Sequence, residues 1–250
     1  MPRRLVIAFV ATGIVSGLLA AFVMQPSFRR SLPSVLGGGD ARSASAAPDP
    51  FEHVVAKAVG SQVPVYEDPA LGGARKFELP NPTEDGAPLI FLVQDQKPGW
   101  YYVILPVRPN GSVGWIRADD VTTSKHYYRI EVDLTAHRIT VKHRDGVFLE
   151  EKIGVGRGPT PTPIGVFYTK ELLRPPNPDT AYGAYAYGLS GYSNVLTDFA
   201  GGDGVVGIHG TNDPSTLGTD VSHGCIRLSN EAITRLAKYL PLGVPVIIKP

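Results

Sequence analysis

Cysteine is almost missing from this chain: its 250 residues hold one, Cys225. No internal disulfide can form, and the paired-cysteine spacings of structural zinc sites are excluded. A charge excess of either sign is also missing, since 24 Lys plus Arg stand against 23 Asp plus Glu. That balance leaves no basic footprint for nucleic acid, which is excluded as a partner. Low-complexity tracts are absent too. The 28 glycines and 23 prolines are spread along the chain, as suits a turn-rich, mainly β protein, and a hydrophobic share of 43% is enough to bury a core.

One long apolar run breaks the pattern, at residues 5–24, which carry no charge and follow Arg3 and Arg4. At about 1.5 Å per residue such a helix spans about 30 Å, the thickness of a bilayer's hydrocarbon core. A cleaved signal peptide would have a shorter apolar region with its cleavage site close behind. Ala44-Ser45-Ala46 resembles such a site but comes too late in the chain. The reading is an uncleaved N-terminal transmembrane helix at 1–24 that anchors the rest outside the cytoplasm, although Arg29 and Arg30 weaken the positive-inside bias. Residues 25–50 turn to Ser, Ala, Gly, Pro and Arg without apolar periodicity, a flexible linker.

Residues 51–123 read as a small all-β unit. Strands are expected around Val63 and Val65, at 89–93, at 100–105 and at 113–116, with Pro109-Asn110-Gly111 as a hairpin turn between the last two. The Gly-Trp-Tyr and Gly-Trp-Ile strands resemble bacterial SH3-like β-barrels, which implies a wall or peptide ligand. Trp100, Tyr101 and Tyr102 would then either bind that ligand or pack the small core; packing is favoured, because aromatics alternating along a strand are ordinary core material.

From 126 to 250 the alternation sharpens. Tyr128, Ile130, Val132 and Leu134 share one face of a strand; Ile139 and Val141 continue it, and Asp145-Gly146 turns the chain into another. Residues 172–204 contain Pro175-Pro176, six glycines and four tyrosines without a sustained period, and read as a lid or binding loop in which Tyr182, Tyr185, Tyr187 or Tyr192 meets a substrate. After the cysteine, Ser229 or Asn230 can cap a short helix that Pro241 ends, and 244–249 reads as a closing strand. His53, His126, His137 and His143 have no partners at ligand spacing and are read as surface residues.

Outside the cytoplasm an unpaired thiol is a liability unless it has a task, so Cys225 reads as a nucleophile. It follows Ser222, His223 and Gly224, and the missing side chain beside it admits a carbonyl. A thiol with a pKa of roughly 8.5 needs a base, which His209 can supply. The segment His209, twelve residues, then Ser222-His223-Gly224-Cys225-Ile226-Arg227, together with Thr160-Pro161-Thr162-Pro163-Ile164-Gly165-Val166-Phe167, resembles the YkuD family of L,D-transpeptidase catalytic domains. The His-to-Ser spacing is slightly shorter than usual, and Arg227 stands where many members have Asn.

The resemblance implies a mainly β chain with a YkuD-type β-sandwich catalytic domain and a short helix after the cysteine motif. It implies acyl transfer through a thioester on Cys225, with His209 as base and the Gly210 carbonyl orienting its ring. His223, Gly224 and Cys225 would supply oxyanion N–H donors, with Ser222 in the same loop. No cofactor or metal is implied. The partners implied are peptidoglycan stem peptides, a donor tetrapeptide being cut after its third residue with release of D-alanine, and the location is the outer face of a bacterial cell membrane. Arg227 either pairs a substrate carboxylate or braces the loop.

Alternatives stay open. Zinc could take His209, His223 and Cys225 with Asp213 or Asp220 as fourth ligand. A sortase also places His before Cys but at wider spacing and with a Thr-Cys strand motif that is absent; papain-like and NlpC-type enzymes place Cys first. Hydrolysis of the same thioester, or a non-catalytic wall-binding scaffold, are further readings.

Overall fold

The alternation in the first half of the chain folds into a sheet. A computed structural model describes residues 49–70, 73–198 and 202–250; the expected anchor and linker residues 25–48 lie outside these. Among the described residues no helix is long and apolar enough to cross a membrane. The strands are β1 (His53–Ala58), β2 (Gln62–Tyr66), β3 (Arg75–Pro80), β4 (Ile90–Lys97), β5 (Trp100–Ile104), β6 (Val113–Arg117) and β7 (Val121–His126). They form a seven-stranded sheet in the order β3-β2-β6-β5-β4-β1-β7, and its paired strands run antiparallel.

Val63, Val65, Phe91, Val103 and Ile116 fill its core. The expected hairpin turn is present, with the Ser112 N–H donating to Pro109 O at 3.2 Å. Gly111 takes a φ of 82°, a conformation that favours glycine. Trp100 is buried in a separate cluster with Tyr66 and Trp115, its ring edge-on to Tyr66 at 5.2 Å, and the guanidinium of Arg117 lies over both rings. Trp100 therefore packs, as favoured; Tyr101 and Tyr102 are half-buried.

The second sheet is mixed. Its strands, with the short pair beside it, are β8 (Tyr128–Asp133), β9 (Arg138–His143), β10 (Gly146–Lys152), β11 (Val155–Gly156), β12 (Gly165–Leu173), β13 (Ala186–Tyr192), β14 (Val205–His209), β15 (Asp220–Ser222), β16 (Ile226–Arg227) and β17 (Pro245–Lys249). Eight of them follow the order β10-β9-β8-β17-β12-β13-β14-β16, while β11 and β15 pair separately. One helix, α1 (Asn230–Tyr239), packs Ala232, Ile233 and Leu236 inward; Ser229 caps it by accepting from the Ala232 N–H.

Two expectations are corrected. Residues 172–204 are not one loop, because β13 crosses them between β12 and β14. Alternation is missing because β13 is buried along nearly its whole length, which erases the polar-out half of the pattern. Glycines make room there: a Cβ on Gly188 would strike the Glu171 carboxylate, and one on Gly191 the Phe167 ring. The histidines are not simply surface residues either. His126 is buried; its Nδ1 accepts the Tyr128 N–H at 3.2 Å and its Nε2 donates to Gly243 O at 3.1 Å. Half-buried His53 packs against it at 5.5 Å, and His137 pairs with Asp220 at 2.8 Å. Apart from Tyr128, these partners are distant in sequence, so spacing could not reveal them.

The sheets meet at a packed junction. Gly243 lies against Val55, where a Cβ would clash, and the fully buried Tyr168 hydroxyl on β12 donates to Ile90 O on β4 at 2.8 Å. Removing that donor strands a buried carbonyl, so Tyr168→Phe should lower unfolding free energy by about 1 to 3 kcal/mol. Denaturant titration checks this; an unchanged midpoint contradicts it.

Candidate active site

Strand β14 carries a base to one end of the second sheet. Val206 and Ile208 turn into the core, so the period-two geometry of a strand turns Gly207 and His209 to the opposite face. Downstream, the turn from Ser222 to Cys225 is tied by one hydroxyl: Ser222 Oγ accepts the Gly224 N–H at 3.1 Å and donates to Cys225 O at 2.6 Å. Gly224 sits at a φ of 118°, which a residue with a Cβ adopts only under strain. The chain then enters β16, which pairs in parallel with β14 so that Ile208 faces Ile226 and His209 faces Arg227.

The same alternation sets Cys225 and Arg227 on the face shared by Gly207 and His209. Consistent with this, the Gly207 N–H donates to Cys225 Sγ at 3.4 Å. His209, Cys225 and Arg227 line one cavity of about 260 Å³, with Tyr182, Leu196 and Gly204 among its walls. The Tyr182 ring stands 5.0 Å from that of His209.

The histidine's tautomer is fixed. His209 Nδ1 lies 2.7 Å from Gly210 O, and a carbonyl can only accept, so Nδ1 carries the proton and Nε2 keeps a lone pair. Burial pushes the His209 pKa down to about 4 against the raising effect of that bond, with the Arg227 charge lowering it further. Burial pushes the Cys225 thiol up, opposed by the Gly207 N–H and by Arg227. At neutral pH the pair is therefore an uncharged imidazole and an uncharged thiol. It is suited to proton transfer during attack rather than to a standing ion pair.

The other expected residues fall near this pair. Gly210 contributes its carbonyl, and a Cβ there would clash with Asn230 Oδ1. Ser222 builds the turn. The Gly224 N–H, expected as an oxyanion donor, donates to Ser222 Oγ at 3.1 Å in this structure. His223 is exposed, and its Nε2 accepts from Arg157 Nη2 at 2.7 Å. Arg227 is half-buried and its Nε is buried without a hydrogen-bond partner. No side-chain hydrogen bond from it is found among the described residues, so the loop-bracing role is not seen.

The zinc alternative loses its candidate ligands to other contacts. Asp220 bonds His137 and Asp213 bonds Ser215, and among the described residues no group of three His, Cys, Asp or Glu could hold a metal. Of the four tyrosines, Tyr182 lines the cavity, whereas Tyr187 donates to Leu236 O and Leu240 O and Tyr192 to Pro106 O. Two contributors went unread in the sequence. Asn230 looked like a cap, yet its Oδ1 accepts the Ala184 N–H at 2.9 Å. Arg157, in a Gly- and Pro-rich stretch, gave no signal.

Comparison with known proteins now places the chain. Residues 127–248 match the model of the YkuD family, the L,D-transpeptidase catalytic domain. A Bacillus licheniformis protein provisionally named L,D-transpeptidase YkuD is 38% identical over 123 residues, 49% of this chain and 66% of its own length. A Bacillus subtilis protein of the same provisional name is 36% identical over 121 residues, 48% of this chain and 65% of its own. The chain thus spans just under two thirds of the curated relatives it matches. Among solved structures, the NMR structure of the catalytic domain from an Enterococcus faecium L,D-transpeptidase is 27% identical, covering 49% of this chain and 96% of that one with a TM-score of 0.36. The chain carries a YkuD-family L,D-transpeptidase catalytic domain.

The charge state yields a prediction. Alkylation of Cys225 by iodoacetamide should rise with pH through an inflection above the ordinary thiol value of about 8.5, and Arg227→Gln should move it higher still, because a positive charge that favours thiolate is lost. A plateau beginning between pH 6 and 7 would instead mark a standing thiolate–imidazolium pair.

Proposed function

We propose that the chain is a peptidoglycan L,D-transpeptidase working through a Cys225 thioester. The observation that carries this reading is the fixed His209 tautomer, which leaves Nε2 unprotonated on a side chain that lines the same cavity as Cys225. In the first step Nε2 takes the thiol proton as Sγ bonds the carbonyl carbon of a stem tetrapeptide after its third residue. The carbon–nitrogen bond then breaks, and the imidazolium returns the proton to the departing D-alanine amine. In the second step an acceptor amine attacks the thioester, gives its proton to Nε2, and leaves Sγ to recover it.

The developing oxyanion is assigned to the Cys225 N–H, for which no partner is found among the described residues; a single such donor is worth roughly 3 to 4 kcal/mol of barrier. The unpartnered Arg227 Nε favours a carboxylate of the stem as its counterpart. The proposal places the catalytic domain at the outer face of a bacterial membrane, with the first sheet as an SH3-like unit that contacts wall or peptide. Hydrolysis by water is the second reading, since the same thioester serves both.

Incubation with a stem tetrapeptide followed by mass spectrometry should give an acyl adduct on the Cys225 peptide. Cys225→Ala should abolish it, and His209→Ala should slow its formation by about 10²- to 10⁴-fold. Undiminished acylation in His209→Ala would remove that residue from its role, and product analysis with and without an acceptor amine separates transfer from hydrolysis.

A further inference from the structure

One wall of the cysteine cavity is held from outside its own sheet. That wall comes from the connection between β13 and β14, through Ser193, Leu196 and Gly204, and from Val205 at the start of β14. Among its described residues, the Ser193 N–H donates to Gly204 O at 2.8 Å, and Ser193 Oγ accepts the N–H groups of Val195 and Leu196 at 3.2 and 3.0 Å. A second cavity is lined by Tyr192 at the end of β13, Asp203 from the connection, Pro106 and Val107 from the first sheet, and Lys170.

The β5–β6 turn of the first sheet supplies further contacts. Arg108 sends its guanidinium to three carbonyls of the connection: Nη1 donates to Ser193 O at 2.8 Å, and Nη2 to Asp203 O at 2.7 Å and Leu196 O at 3.2 Å. Its flat face covers the Tyr192 ring at 4.8 Å. Asn110 grips the start of the connection in the manner of a neighbouring strand, Nδ2 donating to Tyr192 O at 2.7 Å and Oδ1 accepting the Tyr192 N–H at 2.9 Å. Two side chains thus engage five backbone groups, and two of the residues so held, Ser193 and Leu196, line the cavity.

We propose that Arg108 and Asn110 are positioning residues for the cysteine cavity, and that the first sheet shapes the peptide-binding wall through them. The planar fork suits three carbonyls at once, which a lysine cannot match. The positional half of the claim is independent of the reaction; the kinetic half rests on the acyl-transfer reading above.

The test uses the full chain with Arg108→Ala, Arg108→Lys and Asn110→Asp, the last keeping the acceptor but losing the donor. Three readouts are compared with the parent: hydrogen exchange of residues 193–206, KM and kcat for a stem tetrapeptide, and the rate of Cys225 alkylation by iodoacetamide. Losing charge-assisted bonds should speed exchange of that segment and raise KM in Arg108→Ala, each on the order of tenfold. Arg108→Lys and Asn110→Asp should fall in between, with kcat and alkylation close to the parent values. Unchanged exchange in all three variants overturns the positioning claim, and faster exchange with unaltered KM overturns its link to substrate. Uniform loss of exchange protection along the whole chain would reduce the contact to general stability and likewise refute the proposal. If the parent protein forms no acyl adduct, the acyl-transfer reading fails while exchange still decides the positional claim.

Discussion

A single hydrogen bond, from His209 Nδ1 to the carbonyl of Gly210, decides what the rest of the site can do. It spends the ring's one proton on the backbone and leaves Nε2 as a base. Several elements converge on Gly210. Its N–H donates to Tyr185 O at 3.1 Å, and Asn230, the first residue of α1, packs its carboxamide oxygen so close to Gly210 and Gly183 that neither tolerates a Cβ. The helix after the cysteine motif therefore reaches back to pack against the residue whose carbonyl accepts the His209 proton. No third catalytic side chain is needed for that task.

The electrostatics follow from burial more than from charge. His209 is 4% exposed, and desolvation of the cationic ring outweighs the carbonyl that would favour it. For Cys225 the same desolvation outweighs both the Gly207 N–H and the Arg227 guanidinium. The linkage to stability has a definite sign. A folded pKa near 4 against an ordinary value of 6.5 means that the unfolded chain binds the extra proton between those limits. The stability His209 contributes is therefore whole above pH 6.5 and is lost as pH falls toward 4. Buried His126 and half-buried His53, both depressed first by desolvation, act in the same direction at the junction of the two sheets.

What the sequence disclosed and what it hid differ in physical kind. Local signals were legible: the period-two faces of β8 and β9, the Pro109–Ser112 turn, the Ser229 cap, and the His209 and Cys225 motifs, whose chemistry depends on neighbours in the chain. Three things were not. Strand β13 lost its alternation because it is buried along both faces. The engagement of the Gly224 N–H by Ser222 Oγ arises from turn geometry finer than residue type. The histidine pairs and the reach of Arg108 to the β13–β14 connection join residues tens of positions apart, where no periodicity carries information.

The account turns on where the protons sit in the resting pair, and nitrogen-15 NMR of histidine-labelled protein reads this directly. The prediction is a His209 ring protonated on Nδ1 and bare on Nε2 at pH 7, with no titration until the pH approaches 4. A ring protonated on Nε2, or one that becomes imidazolium between pH 6 and 7, would contradict it.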